Sequence, residues 1–195
     1  MRRLISCFLL PAALFAVGIA RGESINVEVD SRDASWLDSG LDVLAGQTLT
    51  INASGTATLE PGNLLTWCTF PDGVNGRDDG TRTYSDCLLP SAIAFSIVAK
   101  IGGTTAIGTG TPVPEDIAGK GAGFVGWSYT YDPMPVSGRL FFAFNDRPGE
   151  FSDNIGFFDV TASVVGVPEP STFALLGIGA TGLFGYGWRW RKQIA

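Results

Sequence analysis

The chain has 195 residues, 45% of them hydrophobic, with 13 basic residues, 19 acidic ones and no histidine. That length holds one domain of ordinary size plus targeting segments. The missing histidine excludes Ser-His-Asp and Cys-His catalysis and the commonest zinc site, and the acidic balance argues against nucleic acid or an anionic membrane surface as a partner.

Residues 1–22 read as a secretory signal. Arg2 and Arg3 precede an apolar stretch from Leu4 to Ala20, and Ala20 and Gly22 stand at the small-residue positions of a peptidase site. Pro11 inside the apolar run, together with those small residues, favours removal near Gly22 over a retained N-terminal anchor.

From Ser24 to Val165 the pattern alternates with a period of two, which predicts strands. Ser24 to Asp30 places Ile25, Val27 and Val29 on one face. Thr48 to Asn52 turns Leu49 and Ile51 inward, and Ala53 to Leu59 continues after a break near Gly55. Ala92 to Ile101 is a stronger run, with Ile93, Phe95, Ile97 and Ala99. Arg139 to Asn145 sets Leu140, Phe142 and Phe144 against Phe141 and Ala143. Ile155 to Val165 sets Phe158, Val160 and Ala162 against Phe157, Asp159 and Thr161. No segment here keeps a 3.6-residue period, so the expectation is an all-β sandwich or barrel over residues 23–166, with helix only at the two ends. Two stretches are rich in turn dipeptides and read as loops: Pro61 to Pro90 and Thr109 to Gly123.

Cys7 leaves with the signal. Cys68 and Cys87 remain, an even pair in an exported chain, so a disulfide is expected. It would close a loop of about 20 residues, worth roughly 3 kcal/mol in the chain-entropy picture. Their spacing does not suit C-x-x-C redox or metal chemistry.

The segment Phe144-Asn-Asp-Arg-Pro-Gly-Glu-Phe-Ser-Asp-Asn-Ile-Gly156 joins two apolar strands. The Pro148-Gly149 turn folds it back, which brings the side-chain oxygens of Asp146, Asp153 and Asn154 together. Hard oxygen donors in a folded loop suit Ca²⁺, which takes six to eight ligands, some of them backbone carbonyls. The other reading is a polar hairpin with Asx turns.

Residues 167–195 close the chain. Val167, Pro168, Glu169 and Pro170 open a segment that continues with Ser171 and Thr172, then an uncharged apolar run from Phe173 to Trp188, then Arg189, Arg191 and Lys192. The run is at the short end for a transmembrane helix, Trp188 and Trp190 suit the headgroup level, and the basic end should stay cytoplasmic. All 19 acidic residues lie between Glu23 and Glu169; three of the 13 basic residues lie at or before Arg21 and three at or after Arg189. The span between therefore carries 7 basic charges against 19 acidic, a net of −12.

That C-terminal order of Val-Pro-Glu-Pro-Ser-Thr, apolar helix and basic cluster resembles the PEP-CTERM sorting signal of Gram-negative bacteria. The resemblance implies handling by an exosortase-type enzyme that cuts near Pro168, Glu169 and Pro170. It implies a helix held in the inner membrane until then, and a mature protein in the cell envelope or extracellular matrix.

A second resemblance covers most of Val29 to Val165. Asn-Asp-x-Pro-Gly-x-aromatic-x-Asp-Asn-x-Gly, followed by an alternating terminal strand, looks like the calcium loop of the PA-I-like galactophilic lectins. Upstream, the segments at Trp36 to Gly40, Ala45 to Ile51, Ala53 to Leu59, Leu88 to Ala92 and Val98 to Gly103 fall in that family's order. The resemblance implies a jelly-roll-like β-sandwich. It implies Ca²⁺ held by the side chains of Asp146, Asp153 and Asn154 and by backbone carbonyls at Leu59 and Glu150, with sugar hydroxyls completing the shell. Asp146, Arg147, Glu150 and Asp153 are then the expected carbohydrate contacts. Galactose-binding members also use a His and a Gln from the preceding loop. This chain has no His, and Thr81 to Ser85 offers no matching Gln, so calcium is better supported than galactose. The readings in play are a calcium-dependent binder of an extracellular glycan or exopolysaccharide, and a structural or adhesive matrix protein of the same fold without a sugar site. An enzyme, such as a glycosidase, is not expected: an acidic composition supplies carboxylate pairs by accident.

Overall fold

The computed structural model describes residues 22–59, 68–75 and 79–166, together with Gly177, Gly179 and Thr181. The chain divides into one unit running Arg21–Val167 and another made of Met1–Ala20 and Pro168–Ala195. Of the second unit, only the three residues just named are described. They are helical, and the Thr181 hydroxyl donates to the Gly177 carbonyl at 2.9 Å. The expected signal over 1–22, Gly22 apart, and most of the expected transmembrane helix lie outside the described residues, among which no helix is long and apolar enough to cross a membrane.

The first unit is all-β. Nine strands are described, in chain order: β1 (Glu23–Asp30), β2 (Leu37–Val43), β3 (Thr48–Thr58), β4 (Cys68–Thr69), β5 (Ile97–Ile101), β6 (Thr111–Pro112), β7 (Ser128–Tyr131), β8 (Gly138–Phe144) and β9 (Ile155–Val165). They form two antiparallel sheets. One has the order β1-β9-β3-β4 with β7 also on β3; the other is β2-β8-β5-β6. The long spine of the first sheet is β3 against β9, paired from Thr48–Val165 to Thr58–Ile155.

The core lies between the sheets, as the alternation requires. From β9 come Phe158, Val160, Ala162 and Val164, all at most 2% exposed, while Phe157 stands 46% exposed on the other face. From β3 come Leu49, Ile51, Ala53 and Ala57. From β8 come Leu140, Phe142 and Phe144, paired across β5 with Ile101, Ala99 and Ile97. Phe144 and Phe158 stack between the sheets with ring centroids 5.7 Å apart. Each such ring contributes roughly 1.5–3 kcal/mol through burial. Phe141 and Ala143, on the other face of β8, are buried as well, because the chain between β5 and β6 folds over that face.

Three features depart from the sequence reading. The run from Ala92 becomes strand only at Ile97: Phe95 has φ 59°, and Ser96 turns its hydroxyl back to the Ile93 carbonyl at 2.7 Å. Strand β2 alternates in burial, but Ser39 takes one of its inward positions and its register shifts between Asp38 and Asp42, which breaks the apolar pattern. The expected disulfide is absent, and Cys68 and Cys87 are both free thiols. Cys68 is fixed on β4 opposite Thr58, whereas Cys87 is fixed by its N–H to Tyr84 and by the next residue's N–H to Asp146. An even cysteine count in an exported chain does not bring two β-carbons to the roughly 3.5–4.5 Å that a disulfide needs. Burial pushes the Cys87 thiol up to about 12, with the charges of Asp146 and Asp86 adding to the rise.

Candidate functional site

The loop 145–154 leaves β8 of one sheet and enters β9 of the other. The Phe144–Phe158 stack sits at its base. Asn145, fully buried, acts as a latch. Its Oδ1 accepts from the Leu89 N–H at 2.8 Å, and its Nδ2 donates to the carbonyls of Leu89 (3.1 Å) and Ile93 (2.9 Å), docking residues 89–93 under the loop. The chain then turns at Pro148-Gly149, where the Glu150 N–H returns to the Arg147 carbonyl at 3.0 Å. A short 3-10 turn, Phe151–Asp153, buries Phe151 and ends on the Asn154 N–H bonded back to Phe151.

This path folds the loop onto itself as its turn residues predict. Asp146 is 3% exposed and Asn154 is 1% exposed. The Asn154 amide donates to Asp146 Oδ2 at 2.8 Å and to the Ser31 carbonyl at 3.0 Å, and the Arg147 N–H donates to Asp146 Oδ1 at 2.7 Å. Burial pushes the Asp146 carboxyl above the ordinary carboxylate range; the bonds from Asn154 and Arg147 oppose this, and the charges of Asp153 and Glu150 add to it. Asp153 is half-buried at the end of the 3-10 turn, and Glu150 is exposed at its start. Leu59 is buried one step beyond the Thr58–Ile155 pair, which sets it alongside Asn154.

The donor set fits the calcium ion that the sequence resemblance implies. Both Nδ2 protons of Asn154 are engaged by acceptors, which fixes the amide orientation. The Oδ1 is then left buried with no hydrogen-bond partner. A buried acceptor without a donor is costly, and a hard cation is what relieves it beside a carboxylate. Among the described residues no three His, Cys, Asp or Glu side chains group closely enough to hold a metal by themselves. A cation here would therefore rest on two carboxylates, an amide oxygen and main-chain carbonyls, a set that suits Ca²⁺ and not zinc.

Of the expected sugar contacts, Glu150 is free at the surface while Arg147 is engaged. Its guanidinium lies 4.5 Å from the Tyr84 ring centroid, and its Nε is 3.3 Å from Asp86 Oδ2. Sequence reasoning did not single out Tyr84, Asp86, Asn145 or Ser31. The Ser31 hydroxyl and N–H both bond the Gly156 carbonyl, at 2.8 and 3.1 Å, tying the end of β1 to the end of the loop. Only Asn145 carried a signal, as a polar residue at the end of an otherwise apolar strand.

Residues 166–192 match the PEP-CTERM protein-sorting motif. Val167, Pro168, Glu169 and Pro170 fall inside that match, as expected, and lie outside the described residues. A solved structure titled "EclA N-terminal domain; PllA-like lectin" aligns with 24% identity over 72% of this chain and 95% of that chain, with a TM-score of 0.47. No curated protein matches the sequence.

Proposed function

We propose that this is an exported, calcium-dependent carbohydrate-binding protein. In this reading residues 1–22 direct export and the lectin-like domain of residues 23–166 binds the ligand. Residues 167–195 carry the protein to an exosortase-type enzyme at the inner membrane of a Gram-negative cell, for release to the envelope or exopolysaccharide. Binding, not catalysis, is the activity.

The observation that carries the reading is the unpartnered, buried Oδ1 of Asn154 beside the buried carboxylate of Asp146. Asp146, Asp153 and Asn154 would hold the ion through side chains, and Leu59 and Glu150 through main-chain carbonyls. Bound there, Ca²⁺ supplies coordination positions that hydroxyl oxygens of a sugar can fill. The chain's own part is orientation: Asn154 positions Asp146, Asn145 seats the loop, and Glu150 and Arg147 stand at its rim. A second reading, a matrix protein of the same fold without a sugar site, is favoured by the lack of the family's His and Gln and by the engagement of Arg147 with Tyr84 and Asp86.

A glycan array run in calcium and in chelator separates the two. Calcium-dependent retention of one glycan class supports the lectin reading. Calcium binding with no glycan retained in either buffer supports the matrix reading.

A further inference from the structure

The face of the second sheet turned away from the core is covered by the chain between β5 and β6. Under that cover lies Lys100, 2% exposed, opposite Phe141 in the β5–β8 register. Its ammonium sits 4.6 Å from the Trp36 ring centroid and 5.4 Å from that of Phe141. It donates to the carbonyls of Thr104 (2.7 Å) and Ala106 (3.0 Å) and to the Thr109 hydroxyl (3.2 Å). These three bonds pin the covering loop, and a loop-pinning role accounts for them in full. It does not account for the charge, since every acceptor is neutral. Among the described residues no carboxylate pairs with Lys100. Asp38, next in the same cross-strand row, is exposed and engaged by Arg139 at 3.6 Å and by the Gly40 N–H at 2.9 Å. A buried ammonium without a counter-charge is unfavourable.

A donor beside it has no acceptor. Trp36 is 2% exposed, and its Nε1 has no hydrogen-bond partner. Trp36 and Lys100 line one cavity of about 210 Å³, together with Leu88, Leu89, Thr109 and Pro112. Lys100 thus lacks a counter-charge, its three N–H donors being already engaged, and Trp36 lacks an acceptor, while the remaining wall is largely apolar.

We propose that this cavity binds a small organic carboxylate, with the anion answering the Lys100 charge and the Trp36 N–H and an apolar body lying against Leu88, Leu89 and Pro112. The volume falls below the 300–1,000 Å³ of pockets for drug-sized ligands, which limits the body to about a single ring. The site needs no metal and stands apart from the calcium reading.

Calorimetric titration of the full protein with benzoate, and with benzamide as its neutral counterpart, tests this. Benzoate should bind saturably near neutral pH, with benzamide weaker by roughly tenfold or more. Lys100→Met, which replaces the buried charge with an apolar chain of similar length, should abolish benzoate binding; Trp36→Phe should weaken it several-fold. Benzoate affinity should also fall above pH 8, since burial pushes the Lys100 ammonium down to about 8. Asp38 and Asp42 on β2 and Arg139 on β8 are the charged groups on the elements packed beside it, and the covering loop and residues 88–89 contribute none. The pH profile of the wild-type protein keeps the test open even if Lys100→Met fails to fold. Equal affinity for benzoate and benzamide, unchanged affinity in Lys100→Met, or no benzoate binding at millimolar concentration would each overturn the proposal.

Discussion

Asn154 donates its side-chain amide to Asp146 Oδ2, eight positions earlier, at 2.8 Å, closing the loop at its two ends and leaving its own Oδ1 buried and unpaired. Asn154→Ala removes the donor from both Asp146 and the Ser31 carbonyl. The expected loss is about 1–3 kcal/mol, the ordinary cost of stranding buried acceptors. Urea denaturation in chelator measures this, and calcium should stabilise the variant less than the wild type.

The carboxylates separate ion binding from general stability. An ion that binds only the folded chain raises stability by RT ln(1 + [Ca²⁺]/Kd), about 2.7 kcal/mol at a hundredfold excess over Kd. Asp146→Asn weakens one charged ligand and Asp153→Ala deletes one. Both should shrink the calcium-induced rise in Tm more than Asp159→Asn, whose side chain is exposed on β9. Equal shifts in all three variants would place the ion elsewhere.

Asn145 supports the loop without belonging to the donor set. Asn145→Ala leaves the Leu89 N–H and the carbonyls of Leu89 and Ile93 without their partner. A destabilisation of about 1–3 kcal/mol is expected. It should appear in chelator as well as in calcium, which distinguishes a latch from a ligand.

Lys100 gives stability a defined pH dependence. Its folded value, pushed down to about 8, lies below the unfolded value of about 10.4. Between those values the unfolded chain binds more protons, so this residue's contribution makes stability rise with pH from about 8 to about 10.4. The Cys87 thiol works in the opposite direction: its folded value near 12 lies above the unfolded value of about 8.5, so stability falls as pH rises between them. The difference between wild type and Lys100→Met isolates the lysine. That difference should shift in favour of the wild type as pH rises from 8 to about 10.4, and a flat difference would contradict the burial of a charged Lys100.

The thiols can be counted directly. A thiol reagent should find Cys68 and Cys87 both reactive after unfolding without reductant, with Cys87 the slower in the folded protein because it is buried. Labelling only after reduction would contradict the free-thiol state.

The long strands of the first sheet were legible because their burial is one-sided. In β1, β3 and β9 the period-two pattern places every second residue at the core, and Phe158 and Val160 fall where the alternation puts them. Strand β2 was not legible because Ser39 takes an inward position and is satisfied only across the sheet, giving its hydroxyl to the Leu140 carbonyl at 2.7 Å, while Asp38 and Asp42 meet Arg139. The β8 pattern predicted two different faces; the core between the sheets buries one and the covering chain buries the other.

In the candidate site, the Pro148-Gly149 turn announced the fold-back, so Asp146 and Asn154 could be placed together before any contact was known. What Ser31 and Asn145 support could not be read, even though Asn145 stood out at the end of an apolar strand, since each acts on main-chain groups more than fifty residues away. The cysteines mislead for the same reason, because their count says nothing about where β4 and the turn before Leu88 come to rest.

The most direct measurement is a calorimetric titration of Ca²⁺ into the exported protein. One saturable site per chain is predicted, with affinity reduced by Asp146→Asn and by Asp153→Ala and untouched by Asp159→Asn. No binding at millimolar calcium, or binding that neither loop substitution alters, would contradict the assignment of the 145–154 loop as a calcium site.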